Sequence, residues 1–325
     1  MAQHLRDEIL ESKPYVDIIL GPDSYRKLPV MLDRKIENTN SLVDTKLSRF
    51  EVYDNLFPSR QGGINAWVSI MRGCDKFCTF CVVPFTRGRE RSRSITSIVT
   101  EVHKAIAAGY VEITLLGQNV NSYQYGGQKF QHLLQEVAEI PGVQRLRYTS
   151  PHPQDMTDEL LCVMAEYENI CNAVHFPLQA GANRILKRMN RTYTKEHFIR
   201  RAQRIREFLP NCGLSTDIIV GFPGETEAEF QDTLEVMDTV KFDSAFTFKY
   251  SLRAGTKAAE YSDQVSETEK QQRLEEVIKL QKRHTLSRNK AVIGRVEKVL
   301  VEKVSKRSTT RWAGRTDSNL SLIHI

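Results

Sequence analysis

The chain has 325 residues, 40% of them hydrophobic and 26% charged, with six cysteines and a net charge of +6. Six cysteines over this length do not make a disulfide scaffold, and the length suits one large domain with smaller pieces attached. The sequence shows no apolar run approaching the roughly 18 residues of a membrane span and no N-terminal apolar signal region, so a reducing, cytoplasmic setting without membrane contact is expected.

Residues 1–50 read as a helix carrying Leu5, Ile9 and Leu10, an apolar strand at 16–20 and a turn at Gly21-Pro22-Asp23. That piece is too short to close a core of its own. Residues 51–65 read as a linker, with Pro58, Gly62 and Gly63 as breakers. From 60 to 290, strand-like runs at 66–71, 111–116, 144–149, 173–178, 214–220 and 244–250 alternate with amphipathic runs at 95–108, 130–140, 157–166, 195–208 and 225–240. In the first of these, Ile95, Ile98, Val99, Val102 and Ile106 repeat at helical spacing, and Gly109 supplies the stop. Strands each followed by a helix predict parallel units, and so an α/β fold built on a partial six-unit β/α barrel. In such folds the chemistry gathers at the carboxyl ends of the strands.

Just after the first strand lie Cys74, Cys78 and Cys81. Their spacing lets one tight loop offer three thiolates to one inorganic centre, whereas a structural zinc and an ordinary iron-sulfur electron carrier each take four ligands. Three ligands leave one corner of a 4Fe-4S cluster open, and an open iron can bind and reduce S-adenosylmethionine. Phe77, Phe80, Val82, Val83 and Pro84 place the ligands in an apolar shell. A zinc site completed by a distant His, or unrelated thiols, are the alternatives from spacing alone. Other strand ends carry turns that should face the same rim: Gly117-Gln118-Asn119, Ser150-Pro151-His152-Pro153, Gln179-Ala180-Gly181 and Gly221-Phe222-Pro223-Gly224-Glu225. Glycines admit close approach of a ligand, and the amides of Gln118, Asn119 and Gln179 suit ribose hydroxyls or an amino-acid moiety.

Charge is uneven. Twelve Lys or Arg stand against Glu297 and Glu302 between Lys279 and Arg315, a local balance of +10 that leaves −4 for the remainder. A basic end on a mildly acidic body suits a polyanion such as nucleic acid, and a solvated helix face is the plainer reading of 279–290.

The run from Cys74 to Arg93, Leu116-Gly-Gln-Asn-Val-Asn-Ser-Tyr123, Thr149-Ser-Pro-His-Pro153 and Asp217-Ile-Ile-Val-Gly-Phe-Pro-Gly-Glu-Thr226 together resemble the radical S-adenosylmethionine methylthiotransferases. Within these the chain looks most like the tRNA-2-methylthio-N6-dimethylallyladenosine synthases, nearly end to end. The resemblance implies a 4Fe-4S cluster on Cys74, Cys78 and Cys81 and reductive cleavage of S-adenosylmethionine to a 5′-deoxyadenosyl radical. It implies replacement of the hydrogen on carbon 2 of the prenylated adenosine beside the anticodon by a methylthio group. Gly117, Gln118 and Asn119 match the segment near the methionine moiety; Gln179, Arg191 and Asp217 are the candidates for ribose and carboxylate. Arg191 as an exposed helix-end charge is the plainer alternative.

Family members carry a second 4Fe-4S cluster in an N-terminal domain, whose ligands are absent from this sequence; residues 1–50 look like that domain's tail. The resemblance thus implies that this stretch alone lacks the means of sulfur insertion, and that cofactor cleavage can proceed without that domain. Cys162, Cys171 and Cys212 have no cluster spacing, and Cys162 reads as part of an apolar helix stripe. Residues 292–319 resemble the first part of the small TRAM β-barrel that holds RNA, with Arg295, Lys298, Lys306, Arg307, Arg311 and Arg315 as contact candidates. An OB-like barrel takes about five strands, and only two or three can be placed. Residues 320–325 match one reading frame of a sequencing adapter and read as a tail foreign to the gene. The expected partners are tRNA, an electron donor such as flavodoxin or ferredoxin and a sulfur source, for a monomer. Two alternatives remain from the sequence: a methylthiotransferase for threonylcarbamoyl-adenosine tRNA or a ribosomal protein, and a zinc-bearing RNA-binding protein without catalysis.

Overall fold

A computed structural model of the chain describes residues 3, 5–37, 40–60, 62–306 and 308–322. At the N-terminal end, helix α1 (Arg6–Ser12) leads to strand β1 (Ile18–Leu20), helix α2 (Leu28–Ile36) and strand β2 (Leu42–Asp44). β1 and β2 pair in parallel, so α2 is a crossover. The sequence reading did not contain α2 or β2, because 28–44 mixes charged and apolar residues without a clean period. Leu28, Val30, Leu32 and Ile36 on α2, with Tyr25 and Phe50 nearby, are exposed.

The segment is nonetheless fixed to the body. Asp23 is buried, and Arg91 and Arg72 reach its Oδ1 at 3.2 and 3.4 Å. Tyr53 donates its hydroxyl to the Pro22 carbonyl at 2.9 Å and stacks on Tyr25. Farther along 51–65, Arg60 reaches Glu101 at 2.5 Å, and Glu101 also holds the buried Arg93 at 2.7 Å. The stretch turns at Tyr53 and Asn55, both in the left-handed region, and is held to the body through Tyr53 and Arg60.

The body consists of parallel strands β3 (Asn65–Ser69), β6 (Glu112–Leu116), β9 (Arg145–Tyr148), β10 (Ala173–His175), β11 (Gly213–Val220) and β12 (Ser244–Lys249). They form two three-stranded sheets, β3-β6-β9 and β10-β11-β12, joined by a parallel bridge from Leu146 to Ile170. The strand order follows the chain, which is the arrangement of an open, partial barrel. A short antiparallel ribbon, β4 (Met71–Arg72) with β5 (Arg91–Ser92), frames the cysteine loop, and a hairpin, β7 (Gln124–Tyr125) with β8 (Gln128–Lys129), follows β6.

After the short α3 (Val83–Arg87) come α4 (Ile95–Ala107), α5 (Phe130–Ala138), α6 (Asp158–Glu166), α7 (Asn183–Arg188), α8 (Lys195–Phe208), α9 (Glu227–Val240) and α10 (Glu267–Lys290). Ser94, Thr157, Thr194, Thr226 and Ser266 each accept a backbone N–H at a helix start, which ends the strand-to-helix turns sharply. On β11, Leu214, Thr216, Ile218 and Val220 are buried while Ser215, Asp217 and Ile219 between them are not. Leu214, Ile218 and Val220 join one core with Ile98, Phe176, Phe198 and Phe242. From the alternate set Ser215, with the exposed Trp67 and Phe246, lines an open interior.

Beyond α10, β13 (Val299–Val304), β14 (Trp312–Thr316) and β15 (Ser321–Leu322) form an antiparallel meander. Arg145 donates to the carbonyls of Lys298 and Arg315, and Arg147 to those of Thr316 and Asp317, so this sheet rests on the amino end of the barrel. Between barrel and sheet lies a cavity of about 610 Å³ bordered by Trp67, His175, Phe246 and Arg295. None of the helices described is long and apolar enough to cross a membrane.

Candidate active site

The loop from Gly73 to Gly88 closes on itself: the Cys74 N–H donates to the Gly88 carbonyl at 3.2 Å, and the Cys81 N–H to the Cys78 carbonyl at 3.0 Å. Gly73 has φ of +79°, and a Cβ there would lie 2.0 Å from the Arg89 carbonyl oxygen, so only glycine fits this pinch. The second anchor is the turn after α7. Asn190 donates its side-chain amide to the Lys76 and Phe77 carbonyls at 3.1 and 2.9 Å, and Thr79 donates its hydroxyl to the Arg188 carbonyl at 2.9 Å. The three thiols are thereby presented on a loop clamped from both sides.

All three cysteines are free and partly buried. Burial pushes Cys74 up to about 11, with Glu90, Cys78 and Cys81 adding in the same direction, and burial also raises Cys81. Cys74 and Cys81 are thereby held as thiols until a positively charged metal centre draws off their protons. Arg191 supplies the local cation. Its guanidinium lies 3.4 Å from Cys78 Sγ, donates to the Pro177 carbonyl at 3.0 Å and reaches the Tyr193 hydroxyl at 2.9 Å. Burial works against its charge, but Tyr193 and Cys78 hold its pKa above the ordinary range. It is not an exposed helix-end charge.

The donor set fits a cluster better than a single ion. Three thiols on one clamped loop fall one short of the four ligands that a structural zinc takes at about 2.0–2.3 Å. A cube held by three cysteines takes each at a separate iron. Cys74, Cys78 and Cys81 would hold it, and the open corner would supply reductive cleavage of S-adenosylmethionine.

The neighbouring turns converge as the barrel requires. Gln118 accepts the Gly73 N–H on its Oε1 at 2.7 Å, so it braces the cysteine loop. Gly117 packs against Met71, where a Cβ would lie 2.6 Å from Cγ. Asn119 is 1% exposed; its amide nitrogen donates to Glu90 and Asp155 at 3.1 Å each, while its Oδ1 is buried with no partner among the described residues. An orphaned acceptor beside the cysteine loop costs about 1–3 kcal/mol until a donor reaches it. Gln179 sits in the left-handed region with φ of 71°, its backbone bonded to Asp217 and Ile219. Asp217 stands farther down the interior, 3.1 Å from His175 Nε2, and His175 Nδ1 meets Ser215 Oγ at 3.0 Å. His152, buried beside Tyr193, is pushed down to about 2 by burial, Arg191 and Lys76, and stays neutral.

Several site-forming residues were not singled out by sequence reasoning: Glu90, Asp155, Lys76, Asn190, Tyr193 and His175. Glu90 and Lys76 lie inside the cysteine motif, and that adjacency was the available signal. On the C-terminal sheet, Arg295, Lys298, Lys306 and Arg311 are exposed, whereas Arg315 turns inward to Glu302 and to Glu112 at 3.4 Å. Arg307 lies outside the described residues. Cys162 is exposed on α6 rather than in its apolar stripe; Cys171 and Cys212 are buried.

Comparison with known proteins agrees with this geometry. The profile of the Radical SAM superfamily matches residues 68–237, the span that holds the cysteine loop, the end of β3 and the four barrel strands β6, β9, β10 and β11. The chain is 46% identical over 98% of its length to tRNA-2-methylthio-N(6)-dimethylallyladenosine synthase of Christiangramia forsetii, covering 70% of that protein. It is 47% identical over 98% of its length to the Bacteroides fragilis protein of the same name, covering 71%. In fold it is similar to coproporphyrinogen III oxidase from Escherichia coli, a radical SAM enzyme, with a TM-score of 0.52 at 13% identity over 78% of this chain and 67% of that one. The chain belongs to the radical SAM superfamily and, within it, to the tRNA-2-methylthio-N(6)-dimethylallyladenosine synthases.

Proposed function

We infer that the protein is a radical SAM methylthiotransferase that modifies tRNA at carbon 2 of an N6-prenylated adenosine. The observation that carries this reading is the clamped three-cysteine loop with Arg191 against Cys78, in a chain 46–47% identical to enzymes of that name. The target carbon lies in a base edge that stacking hides, so an unstacked base of a single-stranded loop is the reachable substrate. Exposed Arg295, Lys298 and Lys306 supply cations for the phosphates. In this reading residues 51–65 link an N-terminal segment to a radical SAM core at 60–290, and 292–319 form an RNA-holding sheet. An electron donor such as flavodoxin or ferredoxin and a sulfur source complete the reaction.

The test is mass spectrometry of tRNA from a strain deleted for the gene and complemented with it. The methylthio mass on the prenylated adenosine should return. Return of that mass on threonylcarbamoyl-adenosine instead would overturn the substrate assignment.

A further inference from the structure

Glu90 follows the cysteine loop and sits at a junction of three segments. Its Oε1 accepts the backbone N–H of Asp75 and the side-chain amide of Asn119, each at 3.1 Å. Its Oε2 accepts the Ser122 hydroxyl at 2.8 Å. The other N–H of the Asn119 amide goes to Asp155 Oδ2 at 3.1 Å, and Asp155 holds Lys76 Nζ at 2.7 Å. The two residues that follow the first cysteine are thus tied, through two separate carboxylates, to one buried amide. Asp75 in turn receives the Glu90 N–H at 3.1 Å and Arg89 Nε at 2.6 Å, which locks the far end of the loop to its start.

The amide of Asn119 has only two N–H donors, and Glu90 and Asp155 take both. Its orientation is therefore fixed, with the bare Oδ1 left as the acceptor. Remove the Glu90 side chain and the Asp75 N–H and one N–H of the Asn119 amide lose their acceptor, the Asn119 amide gains freedom to rotate, and the Ser122 hydroxyl keeps only the Asn119 carbonyl at 2.9 Å.

We propose that Glu90 is a positioning residue: it sets the register of the cysteine loop against the 117–122 segment, so that the cluster and the methionine end of S-adenosylmethionine meet in one geometry. The proposal rests on the cofactor reading above. Its role is hydrogen-bonding shape rather than charge. A glutamine can keep all three bonds, its oxygen facing Asp75 and Asn119 and its nitrogen facing the Ser122 hydroxyl, which rotates to accept.

The experiment compares Glu90→Ala with Glu90→Gln. In the apoprotein, amide hydrogen exchange at Asp75 should quicken about tenfold or more in the alanine variant and stay near wild type in the glutamine variant. This readout needs neither cluster nor nucleotide, so it tests the junction separately from the cofactor reading. After anaerobic reconstitution, the alanine variant should load wild-type iron but bind S-adenosylmethionine about tenfold more weakly, with KM raised more than kcat is lowered, and the glutamine variant should recover within about threefold. Unchanged Asp75 exchange in the alanine variant, glutamine as impaired as alanine, or wild-type nucleotide affinity in both would each overturn the proposal. Should the alanine variant fail to fold, Ser122→Ala removes a single donor and should weaken nucleotide binding about threefold; no change there would equally overturn it.

Discussion

The guanidinium of Arg191 lies 3.4 Å from Cys78 Sγ while two further donors of the same group are spent on the Pro177 carbonyl and Tyr193. A residue 113 positions away in sequence therefore delivers a fixed cation to the middle cysteine. Lysine keeps the charge but not the planar fork. Arg191→Lys should leave iron loading intact and weaken S-adenosylmethionine binding about tenfold, equivalent to about 1.4 kcal/mol. Titration calorimetry on reconstituted protein checks this, and unchanged affinity would remove Arg191 from the nucleotide site.

Asp23 binds the N-terminal segment to the barrel by facing two buried arginines, Arg72 and Arg91. Burial lowers the pKa of Arg91, a sign of how much its charge depends on that carboxylate. Removing one member of such a set strands the others without compensation. Asp23→Ala should cost about 3–5 kcal/mol in denaturant unfolding. A loss below about 1 kcal/mol would show the segment to be merely resting on the body.

The acid side of the stability curve should show Glu229. Arg184 holds its carboxyl down to about 2, helped by the Thr226 backbone N–H and hydroxyl at the start of α9, against the opposing effect of burial. A depressed carboxylate contributes stability above its unfolded pKa of about 4.3 and loses it as pH falls towards 2. Because Arg184 is half exposed, screening reduces the worth of the pair to about 1–2 kcal/mol. Glu229→Gln should lower stability by that amount at pH 7 and flatten the fall between pH 4.5 and 2. An identical acid limb in the variant would refute the assignment.

RNA binding should separate the basic residues of the C-terminal sheet. Lys298→Ala and Lys306→Ala should each reduce the slope of log affinity against log salt by about one, because each exposed ammonium releases one counterion. Arg315→Ala should act differently, loosening the sheet from Glu112 and lowering stability, because its guanidinium is committed inward. Equal slope changes for all three would show Arg315 to be a phosphate contact after all.

The sequence exposed the barrel well because its strands are short runs rich in apolar, β-branched and aromatic residues and its helices carry a clear period, as at Ile98, Val102 and Ala105 on α4. The predicted helix at 195–208 is α8 as observed, and the strand at 214–220 differs from β11 by one residue. The predicted strand at 173–178 is shorter in the structure, since Pro177 and the left-handed Gln179 take the chain out of the ladder. The cysteine loop was legible because its ligands are local. The Asn119–Glu90–Asp155 junction was not, because its members lie 29 and 36 residues apart and are joined only by folding. Arg315 illustrates the same limit: a basic run shows charge, and only the fold shows that Glu112, 203 residues earlier, neutralises this member of it.

The central claim is that Cys74, Cys78 and Cys81 hold a cluster with one open corner, and electron paramagnetic resonance of anaerobically reconstituted, dithionite-reduced protein tests it most directly. The account predicts about four iron and four sulfide per chain, a signal that shifts on adding S-adenosylmethionine, and loss of both in a folded Cys78→Ala variant. A colourless protein carrying one zinc, or a Cys78→Ala variant that still cleaves the nucleotide, would contradict it.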